Sequence, residues 1–133
     1  MKIERTYSGA AWEQKIGYCR AIRAGNHIYV SGTTALADDG RVYRPGDGFA
    51  QAQRCCEIIS KALADLGAGM EHVVRTRMFV TDISHWADFG RAHGEAFGAH
   101  PPATTMVQVT TLINPEMMIE IEAEAILPAA NDS

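Results

Sequence analysis

Glu120, Glu122 and Glu124 alternate with Ile119, Ile121, Ala123 and Ala125 near the end of the chain. A β-strand sends successive side chains to opposite faces and advances about 6.8 Å every two residues, so the run predicts a strand with its carboxylates in one row. Solvated, that row marks only the outside of a sheet. Held in a sheltered cleft, a carboxyl with a pKa adjusted by partial burial can take a proton from water and return it to a leaving group. Spacing alone does not choose among the three and favours pairing glutamates.

Other reactive side chains form no recognisable constellation. His27, His72, His85, His93 and His100 show neither an HExxH helix nor a close pairing with cysteine, so no metal is expected. His93 falls on an apolar helix stripe, where a packed, hydrogen-bonded imidazole is the simpler reading. Cys19, Cys55 and Cys56 are odd in number and two are adjacent, which suits reduced thiols rather than a disulfide framework. Cys56 reads as inert packing. "SGTTALADDG" supplies Ser31, Thr33 and Thr34 but lacks both a GxSxG elbow and a phosphate-loop lysine, which leaves ligand hydrogen bonds or backbone support.

The whole sequence sets the frame for these groups. Its 133 residues suit one domain, 1–133, that buries roughly two-thirds of its unfolded surface. A net charge of −4 without a Lys/Arg cluster speaks against nucleic acid, and no apolar run approaches the roughly 20 residues that span a bilayer. The expected location is the cytoplasm, and the expected partners are small-molecule metabolites and other copies of the chain.

Residues 16–32 read as two strands around Gly25-Asn26. A helix follows over about 49–66, with Ala52, Cys56, Ile59, Leu63 and Leu66 on one stripe. Residues 73–82 read as a strand, with Val74, Met78 and Val80 on one face and Arg75, Arg77 and Phe79 on the other. A second helix spans about 85–97, capped by Asp82 or Ser84, with Trp86, Phe89, His93 and Phe97 as its apolar stripe. "PPATTMVQVTTL" and "PEMMIEIEAEAIL" close the order ββαβαββ.

Two helices cover one face of such a sheet. The other face is expected to carry Arg75, Arg77 and Phe79, then Thr104, Met106 and Gln108, then Met118 and the glutamate row. Phe79, Met106 and Met118 exposed together would be costly, which favours an oligomer with facing sheets over a monomer with scattered apolar side chains.

"GYCRAIRAGNHIYVSG", "VVRTRMFVTDISHW", "PPATTMVQV" and "IEIEAEA" stand in the order and spacing of the YjgF/RidA family, which this chain resembles along nearly its whole length. The resemblance implies a chorismate-mutase-like α+β protomer with two helices on one face of a mixed sheet. It also implies a homotrimer with clefts between subunits and hydrolysis of enamines or imines such as 2-aminoacrylate without a cofactor. Residue by residue, it implies that Glu120 holds water, Tyr18 shapes the pocket and Ser31 belongs to the site. Where the family carries a carboxylate-clamping arginine after Pro-Ala, this chain has Thr104. A cleft asparagine is matched by Gly90 and a cysteine by Met106. A threonine hydroxyl cannot make the charged, bidentate contact of a guanidinium, which points to a non-standard substrate. Arg20, two residues beyond Tyr18, is a further candidate to offer an anion-binding group; the alternative is a structural ion pair. The other functional readings are a noncatalytic metabolite-binding trimer and, less supported by the acidic balance, an endoribonuclease.

Overall fold

The computed structural model describes residues 1–129. Its elements are β1 (Ile3–Thr6), α1 (Ala11–Ile16), β2 (Ala21–Ala24), β3 (His27–Thr34), α2 (Gly48–Asp65), β4 (Val73–Val80), α3 (Trp86–Phe97), β5 (Ala103–Gln108) and β6 (Ile119–Ile126). The strands make one mixed sheet in the order β1-β2-β3-β6-β4-β5, in which β4 and β5 run parallel and the other pairs antiparallel. From β2 onward this is the ββαβαββ order expected from the sequence. No helix among the described residues is long and apolar enough to cross a membrane.

Helix α2 starts where Asp47 Oδ1 accepts the Ala50 N–H at 3.0 Å. Ala52, Cys55, Ile59 and Leu63 then face inward, as their three- and four-residue spacing requires. They meet Ile28 and Val30 of β3, Met78 and Val80 of β4, and Ile119, Ile121 and Ala123 of β6 in the main core. Phe89 and Phe97 bring α3 onto the same core, while Trp86 stays 63% exposed, contrary to its expected place on the apolar stripe. Asp82 caps the 3₁₀ turn Ile83–His85 rather than α3 itself, so the chain turns before Trp86 enters the helix.

The N-terminal region departs from expectation. Residues 16–20 are not strand: α1 ends at Ile16, and Gly17, with φ +88°, closes it by donating its N–H to Glu13 O at 2.9 Å. A six-residue helix is under two turns, too short for periodicity to reveal. The hairpin at Gly25-Asn26 does form, with Ala24 opposite His27. Gly25 takes the positive φ while Asn26 does not, in keeping with a turn that wants glycine at its first central position.

Face assignments also change. In the β4/β5 ladder Thr76 lies opposite Thr104 and Met78 opposite Met106. Residues directly opposite share a face, so Thr104, Met106 and Gln108 stand on the helix side, not on the open side. Met106 and Met118 pack against the core, which removes two members of the expected apolar patch. A register shift between Val73 and Arg75 buries Val73 and turns Val74 outward, 43% exposed. The open face keeps Phe79, Arg75, Arg77 and the glutamate row. There Arg77 Nη1 reaches Glu122 at 3.2 Å and Glu124 at 3.1 Å, pairing within the sheet.

Entry into β6 is tied to α2 by Gln51, fully buried. Its Nε2 donates to Glu116 O at 3.0 Å and its Oε1 accepts the Met118 N–H at 2.9 Å. Gln51→Leu is expected to leave both backbone groups without partners and to lower stability by about 2 kcal/mol or more, read by urea denaturation at fixed protein concentration.

Candidate functional site

Glu120 opens β6, opposite Thr34 of β3 and Phe79 of β4. Beside it the β3/β6 register shifts between Val30 and Thr33, so Ser31 and Gly32 form a bulge. A Cβ on Gly32 would stand 2.0 Å from Glu120 Oε2 and 3.0 Å from its Cδ. The carboxylate therefore lies over the bulge in space that any other residue at 32 would take. It is half-buried and accepts no hydrogen bond from the described residues. Burial raises its pKa above the ordinary 4.5, the Arg20 charge opposes that rise, and Glu122 adds to it. A sheltered carboxyl with free lone pairs can hold a water and exchange a proton with it.

The groups expected beside Glu120 gather at this end of the sheet, in roles that differ among them. Arg20 is 7% exposed. Its Nη2 donates to Gly32 O at 2.6 Å, and its Nη1 lies 3.7 Å from Glu13 Oε2. The guanidinium carbon sits 5.6 Å from the Tyr18 ring centroid. Tyr18 thus reaches the cluster through Arg20, from a loop ahead of β2. Ser31 Oγ donates to Cys19 O at 2.8 Å, which ties the bulge to that loop and engages the hydroxyl hydrogen.

Two contributors escaped the sequence reading. Glu13, 4% exposed on α1, accepts from the Ser8 N–H at 3.0 Å and from Ser8 Oγ while it faces Arg20. Its signal was hidden because one acidic residue in "WEQK" looks like any solvated helix position. Gly32 carries its role in the absence of a side chain, visible only once Glu120 is placed across from it.

Thr104 and Met106 lie on the opposite face of the sheet from Glu120, so the fold of the chain does not bring them together with it. Thr104 ends a buried polar chain. His93 Nε2 is 2.8 Å from Thr76 Oγ1, and Thr76 Oγ1 is 2.7 Å from Thr104 Oγ1. Thr76 is fully buried and His93 9% exposed; burial lowers the imidazole pKa, so the ring is neutral at pH 7. Gly90, on α3, faces open space. The Cys55 and Cys56 thiols stay protonated: burial pushes Cys56 up to about 12 and Cys55 well above its ordinary value.

A hollow of about 380 Å³ lies between the β1–α1 segment and α2, lined by Tyr7, Arg20, Thr34, Arg54 and Lys61 among others. It borders the Arg20 cluster without including Glu120. Its cations besides Arg20 are already engaged, Arg54 by Leu36 O, Asp38 and Glu57, and Lys61 by Asp65.

A mixed sheet with two long helices on one face is the chorismate-mutase-like α+β arrangement. Residues 9–127 match the Endoribonuclease L-PSP family, and the chain belongs to that family. It is similar to Rv2704 of Mycobacterium tuberculosis, a member of the YjgF/YER057c/UK114 family. The two structures share 41% identity and a TM-score of 0.86, over 95% of this chain and 100% of that one. An uncharacterized protein of Streptomyces coelicolor is 35% identical over 123 residues, 92% of this chain and 91% of that protein. The 3-aminoacrylate deaminase RutC of Acinetobacter baylyi is 33% identical over 108 residues, 81% and 85% of the two chains.

Two outcomes are expected of the Glu120 environment. Because its folded pKa is raised, the folded protein binds more protons than the unfolded one between 4.5 and the raised value, so stability falls as pH rises through that window. Glu120→Gln should remove this slope in pH-dependent denaturation. Gly32 lacks a positive φ, so Gly32→Ala should fold while pushing the carboxylate out toward water, lowering the Glu120 titration midpoint in carboxyl NMR.

Proposed function

We propose that the protein is a hydrolytic deaminase of small enamines or imines, acting in clefts between copies of the chain, with Glu120 as the water-holding group. The observation that carries this reading is the Glu120 carboxylate, half-buried, without a hydrogen-bond partner among the described residues and seated over Gly32. An enamine first tautomerises to an imine, gaining a proton on carbon and losing one from nitrogen. Water then attacks the C=N carbon while Glu120 takes its proton, forming the C–O bond. Glu120 passes that proton to nitrogen, and as the C–N bond breaks the proton of the new hydroxyl follows it to nitrogen, so that ammonia leaves and a carbonyl product remains. Similarity to a 3-aminoacrylate deaminase supports this reaction class.

Assembly from several copies, with a homotrimer as the expected form, is supported by the exposed edge strand β5. Its Ala103, Thr104, Thr105 and Val107 present unpaired backbone without a charged side chain. Copies meeting there could bring one protomer's Thr104 and Met106 toward another's Glu120. The neutral Thr104 hydroxyl, in place of the arginine that the family resemblance implies, supports a substrate other than a simple 2-amino-alkenoic acid. A nuclease role finds little support: the net charge is −4, and Arg77 is engaged by Glu122 and Glu124.

Ammonia release from freshly generated imines and enamines, with and without a carboxylate, tests the proposal. Wild type should accelerate at least one class, and Glu120→Ala should lower that rate by roughly 10²-fold or more. Thr104→Arg should gain turnover of 2-aminoacrylate. Wild-type protein that binds such ligands yet never accelerates ammonia release would establish a noncatalytic metabolite-binding role instead.

A further inference from the structure

Resting on the reading of Glu120 as the water-holding group, we propose that Arg20 is a positioning residue for it. The guanidinium, backed by the buried Glu13, clamps the Gly32 carbonyl and fixes the bulge over which the Glu120 carboxylate lies.

Each link is a contact. Ser8 holds Glu13 through its backbone N–H and hydroxyl. Glu13 faces Arg20 Nη1 at 3.7 Å, and Arg20 Nη2 reaches Gly32 O at 2.6 Å. Gly32 in turn is the residue whose missing side chain the Glu120 carboxylate occupies. A guanidinium 7% exposed, with its Nε buried and unpartnered, is a costly way to prop a loop. Apolar residues of similar volume often do as well or better in such places. What they cannot supply is a donor on the bulge carbonyl together with a positive charge near the carboxylate.

The remaining surroundings of Glu120 leave Arg20 as the group that opposes its burial. Thr34 from β3 and Phe79 from β4 lie opposite it and carry no charge. Cys55 from α2 is held as the neutral thiol, and Glu122 on β6 acts in the same sense as burial. Arg20 spends its hydrogen bond on the Gly32 carbonyl and its ion pair on Glu13, so it shapes the carboxylate's environment rather than gripping a ligand.

The test is a pH titration of side-chain carboxyls by NMR in the intact, glutamate-labelled protein, with the Glu120 signal assigned by its loss in Glu120→Gln. In Arg20→Met the Glu120 midpoint should move upward by more than the spread between replicate titrations. Arg20→Lys, which keeps the charge but not the planar fork, should move it less. Should Arg20→Met fail to fold because Glu13 is left unpaired, Glu13→Leu/Arg20→Met removes both charges, and the upward displacement should persist. A folded variant lacking Arg20 with an unchanged or lowered Glu120 midpoint would overturn the proposal and reduce Arg20 to a strut. The titration uses no substrate, so absence of deaminase activity would defeat the functional reading without touching this result.

Discussion

The close approach of Glu120 to Gly32 is the constraint on which the rest of this end of the molecule depends. A carboxylate within 2.0 Å of where a Cβ would stand can exist only if residue 32 is glycine and the β3 backbone stays where it is. Both sides of that contact are held from a distance. On one side Gln51 anchors the loop that delivers β6, so Glu120 enters the sheet in a set register. On the other, the Ser8, Glu13 and Arg20 chain braces the bulge. Removing one partner of a buried pair like Glu13 and Arg20 costs about 3–5 kcal/mol, because the other is left as an uncompensated charge. The short α1 matters because it delivers Glu13, although it adds little apolar area of its own.

The sheet separates two polar systems. On the open face, Arg77 and its two glutamates form a half-exposed ladder within one protomer, of the kind that adds little stability. On the helix face, Thr76 stands among Met78, Val80 and Val73, where an unsatisfied hydroxyl would be expensive, and His93 and Thr104 satisfy it. Strand β5 is the boundary between these systems. Its alternate residues carry both faces to an edge that no element among the described residues covers.

Legibility in the sequence followed the length of each element. Helix α2, with 18 residues and a clean apolar stripe, was readable to within a residue at each end, and the alternation in "IEIEAEA" correctly predicted β6. Strand faces were legible where burial enforces alternation, as in β6, and misread where it does not. β5 alternates Thr-Thr-Met-Val-Gln with little difference in polarity, and its face is set by its parallel pairing with β4, which composition does not reveal. The bulge at Val74 likewise inverted one side chain without any marker in the residues. At the site, spacing left Glu120 as one of three carboxylates in a row, and both it and Tyr18 were singled out by the family resemblance of the motifs around them. Gly32 was not, since its contribution is volume left empty, and Glu13 was not, since its partner lies across a turn that periodicity cannot see.

Position 104 illustrates how a neighbourhood constrains chemistry. Its hydroxyl bonds to Thr76, which also bonds to an imidazole that burial keeps neutral, so the chain from α3 to the sheet edge carries no net charge. Such a chain orients a hydrogen bond but supplies no positive charge at the sheet edge to balance an anion. Any ligand lying against Thr104 is thus favoured when the group it presents there is neutral, a carbonyl or hydroxyl rather than a carboxylate. An arginine placed at 104 would change more than one contact. Its longer stem would displace the hydroxyl from Thr76, and His93 would remain bonded to a threonine with one partner fewer, so the gain of charge at the edge and the loss of order behind it would occur together.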